Sequence, residues 1–394
     1  MLKKNSQFLY KLLKDQFFFL LGFKYFVLRL FFLRKKINLN KKITFQIIGD
    51  KKHHTFCGYY DINPFSHCNN YLLYHQLPIG KKIIKLCMYD IKNKNHKQVA
   101  ESSAFSWQLG SRLQWYNSIK KHIFFNYQLK NSLKSKVVNL DGKLIRKYNQ
   151  PLYSLSEDKK LALTTNFNLL EKFRPGYGYP MNNYDSNNYV RVLNLENEKI
   201  ILQHELKNFI TYFREKNYNY YFNHLSWNKT STYFLFYVVC TNPRISKVFF
   251  SDLKKNIFFS SYIEKISHHS WIDEHTILFF GSVNSEYNFY IYNFKKNRLK
   301  SLRKNIFSLK DGHPNSIDGK KIVVDTYANN LSERFLYIID MKDQSIKQLG
   351  SFYSNYKFRG TEKCDLHPKF SANLKKISID SSHNKSKQVL ILNL

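Results

Sequence analysis

The stretch Glu362-Lys-Cys-Asp365-Leu-His367-Pro368 brings three potential metal ligands into six residues. A second His-Pro pair, His313-Pro314, lies upstream, and further histidines stand at His224, His268 and His269. Neutral imidazole and carboxylate are borderline-to-hard donors, so this set suits a divalent ion such as Mn²⁺ or Zn²⁺. The same imidazoles can take up a proton near neutral pH. Arg112 offers a planar fork able to hold a carboxylate through two bonds. Trp107 and Gln114 flank it in sequence, and Arg174 and Tyr177 share the Gly-containing stretch Phe173-Arg-Pro-Gly-Tyr-Gly-Tyr179. Aromatic rings beside arginine and amide groups suit stacking on sugar rings. No P-loop, no G-x-S-x-G and no Cys-His signature is present.

Residues this far apart in the chain meet only if the fold returns them to one place. From Ile43 onward the sequence consists of short β-branched and aromatic runs separated by polar turns. One unit recurs seven times: a short apolar stretch, a turn rich in Ser, Asn, Asp or Lys, then an apolar strand. Anchored on Phe65, Trp115, Leu155, Trp227, Trp271, Ser316 and Phe370, the copies lie 40 to 54 residues apart, save one gap of 72. That period is the size of a four-stranded propeller blade. The long gap reads as an insertion around 171–190 in the third blade. Residues 43–394 therefore read as an all-β, seven-bladed β-propeller. Ile43–Gly49 can supply the fourth strand of the last blade and close the ring.

In a propeller the innermost strands line a central channel, so equivalent repeat positions converge there. Three residues before the anchors stand Ile62, Arg112, Leu152, His224, His268, His313 and His367. In His268-His269 either ring can face inward. A competing reading makes each histidine a separate structural residue bonded within its own blade, as in WD-type repeats.

The net charge is +35, from 63 Lys and Arg against 28 Asp and Glu. Such an excess draws in anionic partners; an AT-biased coding sequence, rich in Lys, Asn, Ile, Phe and Tyr, gives the same composition. Zinc-finger spacing, RNP-like motifs and recognition helices are missing, so nucleic acid is not the expected partner. The five cysteines form no C-x-x-C, which fits a reducing compartment. Residues 1–42 carry eleven Lys and Arg and one acid, Asp15. Their apolar run, Phe17 to Leu33, is interrupted by Lys24 and Arg29. This spacing predicts a basic amphipathic helix lying on an anionic membrane surface through residues 1–36. Docking of that helix on the protein itself and a transmembrane span are the alternatives.

His367-Pro-Lys-Phe-Ser-Ala-Asn-Leu-Lys-Lys-Ile-Ser-Ile-Asp-Ser and His313-Pro-Asn-Ser-Ile-Asp-Gly-Lys-Lys-Ile-Val-Val-Asp resemble TolB-like propeller repeats. Residues 50–394 are similar to bacterial propellers related to the oligogalacturonate lyases. That resemblance implies a seven-bladed propeller holding a divalent metal, usually manganese, and cleaving oligouronides by β-elimination. The family's last blade carries Gln-x-x-His-x-His-Pro; here the stretch is Glu362-x-x-Asp365-x-His367-Pro368. The resemblance thus implies a metal on His313, Glu362, Asp365 and His367, in a more anionic site, with His269 a competitor for His313. His224 or His269 would be the base, and Arg112 would hold a second carboxylate. The chain also resembles propellers of unassigned activity among bacterial surface-polysaccharide proteins. The expected protein is a monomer acting on an acidic glycan, in the cytoplasm or peripheral to the cytoplasmic face of the inner membrane. The alternatives are a non-catalytic glycan-binding or scaffold propeller, or a glycan hydrolase or transferase.

Overall fold

A computed structural model describes residues 35–50, 52–181, 186–214, 218–302 and 311–394, with Leu20, Phe23, Lys24 and Val27. The expected basic helix of residues 1–36 lies outside the described residues apart from those four and residues 35 and 36. Among the described residues, no helix is long and apolar enough to cross a membrane.

The strands form seven four-stranded antiparallel sheets, one per repeat. Blade four illustrates the pattern: Tyr220–Trp227, Tyr233–Thr241, Arg244–Asp252 and Ile257–Phe258 pair in sequence order. Its second strand, Tyr-Phe-Leu-Phe-Tyr-Val-Val-Cys-Thr, is buried from Phe234 to Cys240. Both of its faces are covered by neighbouring blades, so the strand reads as a continuous apolar run rather than an alternation. Six of the seven anchors pair with the second strand of their blade: Phe65 with Leu72, Trp115 with Ile123, Leu155 with Ala162, Trp227 with Phe234, Trp271 with Ile277 and Phe370 with Ile377. In blade six the residue beside the anchor, Asn315, pairs with Val323.

Ring closure is as the sequence indicates. Thr44–Ile48 lies antiparallel on Gln388–Asn393, from Thr44 opposite Asn393 to Ile48 opposite Val389. An earlier strand, Ile37–Leu39, also joins the propeller, on the outer edge of blade six against Ile346–Tyr353. Sheet pairing thus starts six residues before the expected residue 43, through a strand of three residues too short to give a periodic signal.

Two departures from the repeat shape the centre. In blade one the inner strand His53–Phe56 breaks off before Phe65. The intervening excursion carries Tyr59 and Tyr60 into the channel, where their rings lie 4.7 Å apart. In blade three an insertion between Leu161–Thr165 and Tyr189–Asn194 begins with a short helix, Phe167–Phe173. Asn166 caps it, its side chain accepting from the Asn168 and Leu169 N–H groups.

Candidate metal centre

The inner-strand position three residues before the anchor does converge. Tyr60 packs within ring-stacking range of His224, His268, His269, His313 and His367, at centroid distances of 5.3 to 6.5 Å. Arg112, His224 and His367 hold this position in the left-handed region, with φ of 58°, 53° and 44°. Non-glycine residues adopt that backbone at a cost, and such cost concentrates at functional sites.

His313, Asp365 and His367 form a buried trio, with one potential ligand atom of each within 4.8 Å of the others. His313 Nε2 and His367 Nε2 are buried and have no hydrogen-bond partner. Buried polar atoms normally have one. His313 Nδ1 donates to Asp325 Oδ1 at 2.9 Å, so Nε2 is the ring nitrogen left for a ligand. A carboxylate behind a ligating histidine is the usual support of a metal site. Asp325 also accepts the backbone N–H groups of His313, Leu366 and His367, at 2.7, 3.0 and 3.2 Å. One fully buried carboxylate therefore holds both histidine-bearing segments.

Burial alone would raise the Asp365 carboxyl, but Arg334 at 2.6 Å and Lys363 at 2.8 Å hold it well below the usual carboxylate range. Both contacts lie off hydrogen-bonding angles, so both oxygens keep uncommitted lone pairs. Burial, reinforced by His313, lowers the pKa of His367 well below the usual histidine value. The trio thus offers two imidazole nitrogens without hydrogen-bond partners and an ionised carboxylate. Those groups fit a six-coordinate divalent ion and leave positions open for a substrate.

Two cavities meet at the Tyr59–Tyr60 pair. The smaller, 230 Å³, is lined by Tyr59, His224, His268, Asp311, Tyr327 and Arg174, among others. Tyr59 stands between this space and the trio, 4.9 Å from the His367 ring and 5.4 Å from His224. His268 lies 4.1 Å, ring to ring, from His313. Its Nδ1 meets Asp311 Oδ1 at 3.1 Å, so Nε2 is the free nitrogen. Burial lowers the His268 pKa, His313 lowers it further, and Asp311 opposes both. The larger cavity, 790 Å³, opens beyond Tyr60 and contains Arg112, Gln114, Trp115 and His269 in its wall.

The site differs from the sequence expectation at several residues. Glu362 is exposed, because the chain makes a 3₁₀ turn over Gly360–Glu362 that carries it away from the trio. His269 faces the larger cavity with Nδ1 on the Tyr237 hydroxyl at 2.8 Å, and His268 takes the place beside the trio. Arg112 is buried, and its fork is filled by Asp61 at 3.0 and 2.8 Å, with Nε on the Tyr153 carbonyl. Three of its five N–H groups are thus taken, and the paired edge that would grip a substrate carboxylate already holds Asp61. Trp107 packs against His54 and Phe56 with the Lys387 ammonium 4.1 Å above its ring, away from both cavities. Gln114 lines the cavity opposite to the one that holds Arg174 and Tyr177. Asp325, Asp311, Arg334 and Lys363 were not anticipated. The repeat contained a signal for Asp325: it ends Lys321–Asp325 as Asp380 nearly ends Lys376–Ser381 in the next blade.

No protein-family model and no curated protein matches the chain. Solved structures do. An oligogalacturonate lyase from Vibrio parahaemolyticus is similar at 13% identity and TM-score 0.63, over 89% of this chain and 96% of that one. An oligogalacturonate lyase in complex with manganese is similar at 14% identity and TM-score 0.60, over 89% and 96%. The β-propeller domain of the Trilobed protease from Pyrococcus furiosus gives 13%, 0.50, 86% and 95%. These likenesses establish the class, a seven-bladed β-propeller. Within that class the chain has the overall shape of the oligogalacturonate lyases, with a possible His/Asp metal site of its own.

Proposed function

We propose that this propeller cleaves an acidic, uronate-containing oligosaccharide by β-elimination with the help of a divalent metal, manganese first among the candidates. The observation that best supports this is the buried trio, with its two bare imidazole nitrogens, next to a cavity rich in cations. Bound by His313, Asp365 and His367, the metal would supply Lewis acidity to the uronate carboxylate and acidify the α proton. Arg174, Arg244 and Lys265 line the cavity and draw the anion in. His268, held through Nδ1 by Asp311, presents Nε2 to accept the α proton. His224, in the same cavity, is the second candidate for that role. As the proton leaves, its electron pair forms the carbon–carbon double bond and the β carbon–oxygen bond breaks. The departing oxygen takes a proton from water. Residues 1–36 would hold the protein on the cytoplasmic face of an anionic inner membrane.

Ultraviolet absorbance of the unsaturated uronate tests this reading directly. Incubation with oligouronides and Mn²⁺ gives a rising signal, and His268→Gln slows it by roughly 10²- to 10⁴-fold with metal content unchanged. No rise with any uronide supports a second reading, a non-catalytic glycan-binding or scaffold propeller in bacterial surface-polysaccharide biosynthesis. One observation favours that alternative: Arg334 and Lys363 already neutralise Asp365 without a metal.

A further inference from the structure

Lys387 stands between the last two strands of blade seven, Lys376–Ser381 and Gln388–Asn393, and is only 1% exposed. Two bonds to the inner strand of blade one fix its backbone: its N–H donates to His54 Nδ1 at 3.1 Å, and its carbonyl accepts the Thr55 N–H at 2.9 Å. The side chain enters an aromatic cage. Its ammonium lies 4.1 Å from the centroid of the Trp107 ring, with Phe56 at 5.8 Å and Phe358 at 5.9 Å. The His54 ring packs at right angles to both Trp107 and Phe358, at 5.4 and 5.6 Å, and holds the cage together.

Among the described residues no carboxylate pairs with this ammonium. A buried charge without a counter-charge is costly, and the Trp107 face offsets only part of that cost. What the ammonium reaches is the Lys363 carbonyl, at 3.3 Å. The same oxygen accepts from Gln108 Nε2 at 2.8 Å. Gln108 is buried in turn, with its N–H on the Gly176 carbonyl of the blade-three insertion at 3.2 Å. Donors from blade seven and from the approach to blade two thus converge on one carbonyl oxygen, just upstream of Asp365. The Lys363 ammonium, on the other end of the same residue, meets Asp365 Oδ2 at 2.8 Å. Downstream of Asp365, the Leu366 N–H is held by Asp325. Asp365 is therefore fixed from both sides, by this clamp and by the carboxylate that supports His313.

We infer that Lys387 is a positioning residue of the metal centre. With Trp107 and Gln108 it fixes the Lys363 carbonyl, and so sets where the Asp365 carboxylate stands relative to His313 and His367. This rests on the reading that the trio holds a divalent ion. Trp107 then serves the site from behind, by holding a cation, rather than by stacking on a sugar ring.

Calorimetric titration of Mn²⁺ into the chelator-treated full chain, paired with thermal unfolding, tests the clamp. Lys387→Met keeps the stem and loses the charge and the donor. Mn²⁺ affinity falls about 10-fold, while the thermal midpoint stays at or above wild type, because an unpaired buried charge has gone. Gln108→Leu removes the second donor and lowers affinity in the same way. Lys387→Arg keeps a cation over Trp107 and recovers part of the loss. Wild-type affinity in both Lys387→Met and Gln108→Leu overturns the clamp and leaves the metal at the trio standing. Midpoints that fall together with affinity in both variants also overturn it, since Lys387 then serves folding alone. If wild type takes up no Mn²⁺, the metal reading falls and this inference falls with it.

Discussion

His313 and Asp325, twelve residues apart across one turn of blade six, form a closed pair: Asp325 accepts both the backbone N–H and the Nδ1–H of His313. Asp325 also anchors His367 through its backbone N–H. The two imidazoles of the trio therefore share one buried carboxylate as their common reference point. Pre-organisation of this kind spares a site the cost of collecting its ligands when the ion arrives.

Replacing Asp325 disturbs metal binding and folding in separable ways. Asp325→Asn keeps the volume but loses the charge to which His313 Nδ1 donates, and Mn²⁺ affinity falls about 10- to 100-fold by calorimetry. Asp325→Ala strands three buried backbone N–H groups as well. Denaturant unfolding then shows a stability loss of about 3 kcal/mol or more. Wild-type affinity in Asp325→Asn would remove Asp325 from the site.

Stability falls with acid through His75, which takes no part in the trio. It is fully buried, and burial pushes its pKa down to about 3. Nε2 accepts the Ser111 N–H at 3.0 Å and Nδ1 meets the Phe56 carbonyl at 3.2 Å, so the neutral ring is satisfied at both nitrogens. The folded value lies below the unfolded value of 6.5. This contribution is therefore whole above pH 6.5 and is lost as pH falls from 6.5 towards 3, at about 1.4 kcal/mol per unit for one group. His54, His204 and His383, each lowered by burial to about 4, act in the same direction. Urea midpoints at about pH 7.5 and about pH 5 differ accordingly, and His75→Gln shrinks the difference. A midpoint independent of pH contradicts this.

Two deletions separate the proposed membrane contact of residues 1–36 from closure of the ring. Deleting residues 1–36 retains the closing strand Thr44–Ile48, so the thermal midpoint stays close to wild type and pelleting with anionic vesicles is lost. Deleting residues 1–49 removes that strand, uncovers the edge of Gln388–Asn393 and exposes Leu390 and Leu392. Stability then drops by about 3 kcal/mol or more. Continued pelleting of the shorter deletion would assign membrane contact to the propeller body.

Much of the fold was legible because a propeller writes its period into the chain. Each anchor fills the same inner-strand position, and the apolar second strands are buried on both faces. The convergence of His224, His268, His313 and His367 followed from that period. What spacing could not settle was direction. In Ile263–Trp271 the register shifts twice, between Ile263 and Lys265 and between Ile266 and His268. Each bulge resets which side chains face which side, so alternation could not tell His268 from His269. Glu362 was lost to a 3₁₀ turn that sequence spacing does not reveal. Arg112 was misjudged because its partner, Asp61, sits 51 residues away in the preceding blade. The Tyr59–Tyr60 excursion interrupts the repeat, and a reading built on the repeat has no place for it.

The central claim is that His313, Asp365 and His367 hold a divalent ion. Elemental analysis of the full chain, purified with Mn²⁺ and Zn²⁺ supplied and then dialysed, addresses it beside His313→Ala and His367→Ala. The account predicts roughly one divalent ion per wild-type chain and a near-complete loss in both variants. A metal-free wild type, or variants that retain as much metal as wild type, would contradict it.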